Sequence, residues 1–274
     1  MSVRKSVSRT IARRWYLLTG RKPWTFGYGV YRNGYIKNIL DAAAFDPARL
    51  PPGYGFRLDE RSVEYPWMFS RLTEDEAFML DAGSILNHDF LLRHHRLRNK
   101  KLFISTLAPE PVSHHDRGIS YVYEDLRHSS FRDGMFDVVV SLSTVEHIGL
   151  DNAMLYSADD AHRENRPDTY LDAIREFARV LRPGGTLFFS VPFGRHVNHG
   201  WFQVFDAVMV DRVIAAFAPT SQRETIFRYL PNGWTTGNRA DVADATYFDI
   251  HAGKGYEPDF AAASRAVVCL ELIR

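Results

Sequence analysis

One cysteine, Cys269, stands among 274 residues. An intrachain disulfide and a four-cysteine zinc site are therefore excluded, and a reducing compartment is the natural setting. No apolar run approaches the roughly 20 residues that span a bilayer. The basic N-terminus is followed by no secretory apolar region, because Trp15-Tyr16-Leu17-Leu18 is short and runs into Thr19-Gly20. These absences leave a soluble globular chain, expected in the cytoplasm. Acids are also missing from the first forty residues. Nine bases lie there, from Arg4 to Lys37, and no carboxylate precedes Asp41. The remaining residues carry 25 bases against 33 acids, so the net charge of +1 hides a basic start on an acidic body. Such a start suits either a helix packed on that body or peripheral contact with an anionic inner-membrane face; nucleic acid is not expected as a partner.

Residues 1–70 are broken by Pro23, Gly27, Gly29, Gly34, Pro47, Pro51, Pro52 and Gly53. They read as an irregular extension with a short helix near 36–44. From residue 71 the pattern changes. Apolar runs at 78–83, 101–105, 121–123, 136–141 and 186–191 read as buried parallel strands. A helix is predicted over 167–182, with Leu171, Ile174, Phe177, Ala178 and Leu181 on one face and Arg182-Pro183-Gly184-Gly185 as its stop. The run 265–273 is a further strand, expected to close an edge. Alternation of this kind predicts an α/β fold, a Rossmann-like, doubly wound, mostly parallel sheet with helices on both faces. The expected organisation is a basic extension over 1–70 and an α/β domain over 71–274, its core at 75–195 and its lid and edge strand at 196–274. Ligands of such sheets sit at the carboxyl ends of the strands.

The residues there have a recognisable order. Leu80-Asp81-Ala82-Gly83, then Ser130-Phe131-Arg132-Asp133-Gly134-Met135-Phe136-Asp137-Val138-Val139, then Ala178-Arg179-Val180-Leu181-Arg182-Pro183-Gly184-Gly185-Thr186-Leu187 resemble class I S-adenosylmethionine-dependent methyltransferases of the type 11 kind. The likeness covers about residues 75–195. Ser143-Thr144-Val145-Glu146-His147-Ile148-Gly149, with Val191-Pro192-Phe193-Gly194 and His199-Gly200-Trp201-Phe202-Gln203, further resembles methyltransferases of surface-polysaccharide clusters.

The resemblance implies S-adenosylmethionine as cofactor, held by Asp81, Gly83, Ser84 and Asn87 after the first strand, Ser105 and Thr106 after the second, Asp125 and Leu126 at the adenine, and Ser143 after the fourth. The sequence departs from the family where Ile85 and Asn87 replace two glycines of the first turn and where Ser105-Thr106 stand in place of a ribose-binding acid. The same two departures argue against a nicotinamide reductase. His147 is the candidate base for removing a hydroxyl proton, with a pKa expected near neutrality, and Glu146 its candidate orienter. Arg195, His199, Trp201 and Gln203 are the candidate acceptor wall, on which a sugar ring could stack; Asn232-Gly233-Trp234 and Tyr247-Phe248-Asp249 could extend it. No metal is expected, because His94-His95 and His114-His115 lack matching carboxylates. The expected function is O-methylation of a sugar, glycan or related small-molecule hydroxyl. The alternative is a non-catalytic binding protein on a degenerate methyltransferase fold.

Overall fold

The computed structural model describes residues 3–156, 162–253 and 255–274, with side chains from residue 8 onward. Its centre is a sheet of eight strands. In chain order the strands are β1 (Ala77–Ala82), β2 (Lys100–Thr106), β3 (Ser120–Tyr123), β4 (Phe136–Leu142), β5 (Leu181–Pro192), the short pair β6 (Val197–Asn198) and β7 (Gln203–Val204), β8 (Ser221–Leu230), β9 (Gly233–Gly237) and β10 (Ala266–Ile273). The large sheet runs β3-β2-β1-β4-β5-β10-β8-β9, and β6-β7 stand apart as a second, two-stranded sheet. Strands β1 to β5 pair in parallel, whereas β10 is antiparallel to both β5 and β8.

Helices cover both faces: α1 (Val3–Leu18), α2 (Tyr28–Ala42), α3 (Arg61–Arg71), the single turn α4 (Asp89–Leu92), α5 (Tyr170–Val180) and α6 (Ala207–Phe217). Alternation along each strand sends neighbouring side chains into two cores. Met79 joins α2 and α3 on one face, while Leu80 joins α5 on the other. In β10, Val267 and Cys269 point to the first core, and Ala266, Val268 and Leu270 to the second. The fold is the doubly wound, mostly parallel α/β type that the strand pattern predicts.

Two expectations are corrected. Residues 1–70 are not irregular, for they carry three helices, and Ile36, Val63, Trp67 and Phe69 from α2 and α3 build one of the cores. The prolines that suggested otherwise, Pro23, Pro47, Pro51 and Pro52, lie between the helices, and a further one inside α3 is accommodated separately. Pro66 lies inside α3 and has no amide for the carbonyl of Ser62, one turn back. The Tyr54 hydroxyl donates to that carbonyl instead, at 2.8 Å. Gly29 and Gly34 lie within α2, and a side chain at either would meet open space. The second correction concerns β10, which lies inside the sheet and not at its edge. The β8–β9 hairpin, joined by Pro231-Asn232, takes the edge position.

Candidate active site

The strand order reverses between β1 and β4, where crossovers leave in opposite directions and open a crevice. A cavity of about 220 Å³ occupies this point, at the carboxyl ends of β1 to β4. Its floor is Gly83. The Gly83 amide donates to the Ser105 carbonyl at 2.8 Å, locking the end of β1 to β2. Its φ of +117° suits glycine alone. An added Cβ would also overlap Thr144, lying 2.9 Å from that residue's Cβ and closer still to Cγ2 and Oγ1.

Asp81 acts on this turn from below. It is fully buried, and its two carboxylate oxygens accept from the amides of Ile85 and Leu86 at 3.0 and 2.8 Å. Burial pushes its carboxyl up to about 7, although both amides pull the other way. It therefore braces the loop in which Ile85 and Asn87 replace glycines, and it does not line the cavity. Asn87 is similarly engaged elsewhere, donating to Glu110 and the Val112 carbonyl and accepting from Tyr121. Ser84 has a φ of +61°, and its Oγ is buried with no hydrogen-bond partner among the described residues. Ser84 does not line the cavity, so it is the bare backbone of Gly83 that fits a ligand pressed against this turn.

The far end of the cavity is polar. Thr106, Glu124, Asp125 and Leu126 line it, together with Arg127 and Glu164. Ser105 sits one layer back, 3.4 Å from the Glu124 carboxylate. Arg127 bridges the carboxylates of Asp125 and Glu164, its Nε lying 3.0 Å from both Asp125 oxygens and its Nη1 2.7 Å from Glu164. Burial alone would raise the Asp125 pKa, but the Arg127 hydrogen bonds outweigh it and hold the carboxyl below its usual range. A charged carboxylate is thus fixed where a donor such as an exocyclic amine can approach.

The near wall comes from α3, whose role the sequence did not signal. Arg61 lines the cavity and donates to Glu64 (3.0 Å) and to the carbonyls of Leu142 (2.8 Å) and Ser143 (3.2 Å). Glu64 is fully buried and accepts from the Ser143 and Ser190 hydroxyls, each at 2.6 Å. This latch ties α3 to the ends of β4 and β5 and holds Ser143 at a φ of +40°.

Past Ser143, a single 3₁₀ turn over Val145–His147 brings His147 to the cavity wall. Its Nδ1 lies 2.9 Å from the Trp201 carbonyl. A carbonyl only accepts, so Nδ1 carries the proton and Nε2 keeps its lone pair. Burial, aided by the nearby Arg61 charge, pushes the imidazole down to about 4 against the pull of the carbonyl. The ring is therefore neutral at pH 7, further from neutrality than the sequence suggested. Glu146 is not its orienter. That carboxyl is buried away from the cavity, burial pushes its pKa well above the ordinary value, and its Oε2 has no hydrogen-bond partner among the described residues.

The four acceptor-wall candidates are dispersed, and none lines this cavity. Arg195 is exposed. Gln203 is buried and donates to the Pro167 carbonyl at 2.7 Å. His199 stacks on Phe202, with centroids 4.4 Å apart and planes nearly parallel. Trp201 stands 5.1 Å from the His147 ring and lines a second cavity of about 290 Å³, with Trp24, Tyr247, Phe248, Asp249 and His251. Trp234 lies elsewhere, donating to the Leu58 carbonyl within a core.

Residues 103–189 match the family model described as a methyltransferase domain. That match supports S-adenosylmethionine as the cofactor. No curated protein matches the chain. Among solved structures, the chain is similar to the Burkholderia thailandensis 1,6-didemethyltoxoflavin-N1-methyltransferase solved with 1,6-didemethyltoxoflavin and S-adenosylhomocysteine. The identity is 15%, the likeness covers 73% of this chain and 72% of that one, and the TM-score is 0.42. A Methanosarcina mazei S-adenosylmethionine-dependent methyltransferase gives 14% identity over 76% and 97% of the two chains, with a TM-score of 0.44. The [4+2]-cyclase SpnF gives 15% over 89% and 93%, with a TM-score of 0.48. Likenesses this distant decide nothing about the reaction, and one of the three is named as a cyclase.

Proposed function

We propose that this chain transfers a methyl group from S-adenosylmethionine to a hydroxyl of a small molecule, a sugar or glycan intermediate by class. The observation that carries the reading is His147: a neutral imidazole whose Nδ1 is fixed by the Trp201 carbonyl and whose ring forms the wall of a cavity floored by Gly83. The residues present suit the cofactor. Gly83 would face its amino-acid and ribose portion, the Arg61 guanidinium its carboxylate, and Asp125 with the Leu126 backbone its adenine edge. When bound, S-adenosylmethionine supplies an electrophilic methyl group on a sulfonium.

The chain's own residues do the rest. His147 Nε2 would take the acceptor's hydroxyl proton as the oxygen bonds to the methyl carbon and the carbon–sulfur bond breaks, leaving the neutral thioether S-adenosylhomocysteine. The Trp201 carbonyl holds the ring in one tautomer while Nε2 becomes protonated. Ile148 and Leu155 give the same cavity apolar lining. An imidazole with so low a pKa is a weak base, so positioning carries much of the rate, an effect worth roughly 7–11 kcal/mol in favourable cases. The sugar reading rests on the aromatic cavity behind Trp201, where apolar rings lie beside the Asp249 carboxylate.

A binding protein without turnover is the second reading, favoured by the engagement of Asp81 within the turn and of Asn87 with Glu110, Val112 and Tyr121. Titration calorimetry with S-adenosylmethionine and S-adenosylhomocysteine, followed by a methyl-transfer assay on hydroxylated acceptors, separates the two. The proposal expects binding of both, weakened about tenfold or more by Asp125→Ala. It also expects turnover that His147→Ala removes while binding persists. Binding without turnover on any acceptor class, or no binding of either compound, removes the transfer reading and leaves the second standing.

A further inference from the structure

The helix α1 has two apolar faces, and the protein uses only one of them. Ala12 and Tyr16 are buried, with the Tyr16 ring 5.8 Å from Tyr28 and 5.1 Å from Tyr31. The helix is pinned there by Gly27, where any side chain would overlap the Ala12 carbonyl. The outward face carries Ile11, Trp15 and Leu18 at the i, i+4, i+7 spacing of a helical stripe. They are 57%, 56% and 84% exposed. Packing of this helix on its own body, one of the two roles its composition suits, is already satisfied by the opposite side. The stripe is left facing solvent, and isolated stripes of this kind mark contact surfaces.

Charge identifies the partner. Arg14 is exposed beside the stripe, and exposed Lys22 follows beyond the helix, while no acid occurs in the first forty residues. The rest of the chain is acidic overall. We propose that α1 docks this protein on an anionic lipid bilayer, the stripe of Ile11, Trp15 and Leu18 entering the headgroup boundary and Arg14 and Lys22 meeting the lipid phosphates. Tryptophan favours that boundary, since its ring is apolar and its indole N–H is polar. The acidic body is repelled by the same surface, so the protein is held with α1 downward. This docking is independent of the methyl-transfer reading and survives its failure.

The full chain is sedimented with phosphatidylcholine vesicles and with phosphatidylcholine/phosphatidylserine vesicles, at low and at high salt. Binding is expected to the anionic vesicles only and to fall steeply with salt. Trp15→Ser with Leu18→Ser should abolish it, and Arg14→Gln with Lys22→Gln should weaken it by about fivefold for each base removed. Both pairs are exposed, so unchanged thermal melts will show that the fold persists. Trp15→Phe should keep binding but lose much of the fluorescence quenching by brominated acyl chains. Equal sedimentation with neutral and anionic vesicles, sedimentation with neither, or full binding by the Trp15/Leu18 double variant overturns the proposal. So does a concentration-dependent dimer that the double variant abolishes, because a second copy then covers the stripe.

Discussion

Gly83→Ala tests the floor of the cavity most directly. Two costs add at this position. The φ of +117° is strained for any residue with a Cβ, at about 1–2 kcal/mol or more. The new methyl also overlaps Thr144, whose side chain must leave its place between Gly83 and the Leu142 carbonyl, 3.2 Å from its hydroxyl. Forcing a methyl into a filled space costs about 1–3 kcal/mol. Together the loss should be about 2–5 kcal/mol, a large part of the stability of an ordinary domain. Urea unfolding should show it as a lower midpoint at an unchanged slope. The two parts can be separated by a double-mutant cycle. Thr144→Ala does not relieve the overlap, because the Thr144 Cβ itself is 2.9 Å from the new atom, whereas Thr144→Gly does. In the Thr144→Gly background, Gly83→Ala should therefore cost only the backbone share, about 1–2 kcal/mol. A cost below about 0.5 kcal/mol in the parent, or equal costs in both backgrounds, would falsify the close-approach account of this turn.

Three further outcomes follow from the buried charges. His147 is held at about 4 in the folded chain against about 6.5 when unfolded, so its contribution, up to about 3 kcal/mol, is present above pH 6.5 and lost as pH falls toward 4. Acid unfolding of His147→Ala should lack that limb, and the parent's turnover should stay flat above about pH 5 instead of rising through 6.5. Glu60 runs the opposite way. Burial pushes it up to about 8 from about 4.5 when unfolded, so its stabilisation is full below pH 4.5 and lost as pH rises to 8, and Glu60→Gln should flatten that decline in melts between pH 5 and 8. Glu64→Ala should cost about 3–5 kcal/mol, because it leaves the Arg61 guanidinium buried without its carboxylate, and a melt unchanged from the parent would dismantle the α3 latch.

Much of the central fold is legible in the sequence because parallel strands buried on both faces are unbroken apolar runs. Phe136–Leu142 and the 3.6-residue stripe of Tyr170–Val180 are cases of local pattern and tertiary fate agreeing. The edge is harder to read. Ser221-Gln222-Arg223-Glu224 begins β8 as a polar segment, and only Asn232-Gly233 hints at the hairpin. The α6 helix was equally available in the sequence, for Asp206 caps it by accepting from the Met209 amide at 2.9 Å. At the site, the strand-end residues Gly83, Thr106, Asp125, Leu126, Ser143 and His147 gather around one cavity. What spacing could not show is which atoms were already engaged. Asp81, Asn87 and Gln203 are polar residues in plausible places whose donors and acceptors are taken up by backbone or neighbours. Arg61 escaped notice for the opposite reason: its contact with Leu142 and Ser143 spans about eighty residues of chain.

The placement of β10 has a consequence for the order in which the molecule can be assembled. Residues 266–273 follow the other strands of this sheet in the chain, yet they form the seam between β5 and the β8–β9 hairpin. Until they arrive, the nascent chain holds two incomplete sheets, each with a bare strand edge, and the Leu187-Phe188-Phe189 run of β5 is apolar. Exposed edges of that sort invite pairing with other chains. Chain termination anywhere within β10 should therefore produce insoluble protein even though the whole cavity, from Arg61 to Glu164, has already been made. Solubility and site construction are encoded in different stretches of the sequence, and a ribosome that stalls late loses the first while keeping every residue of the second.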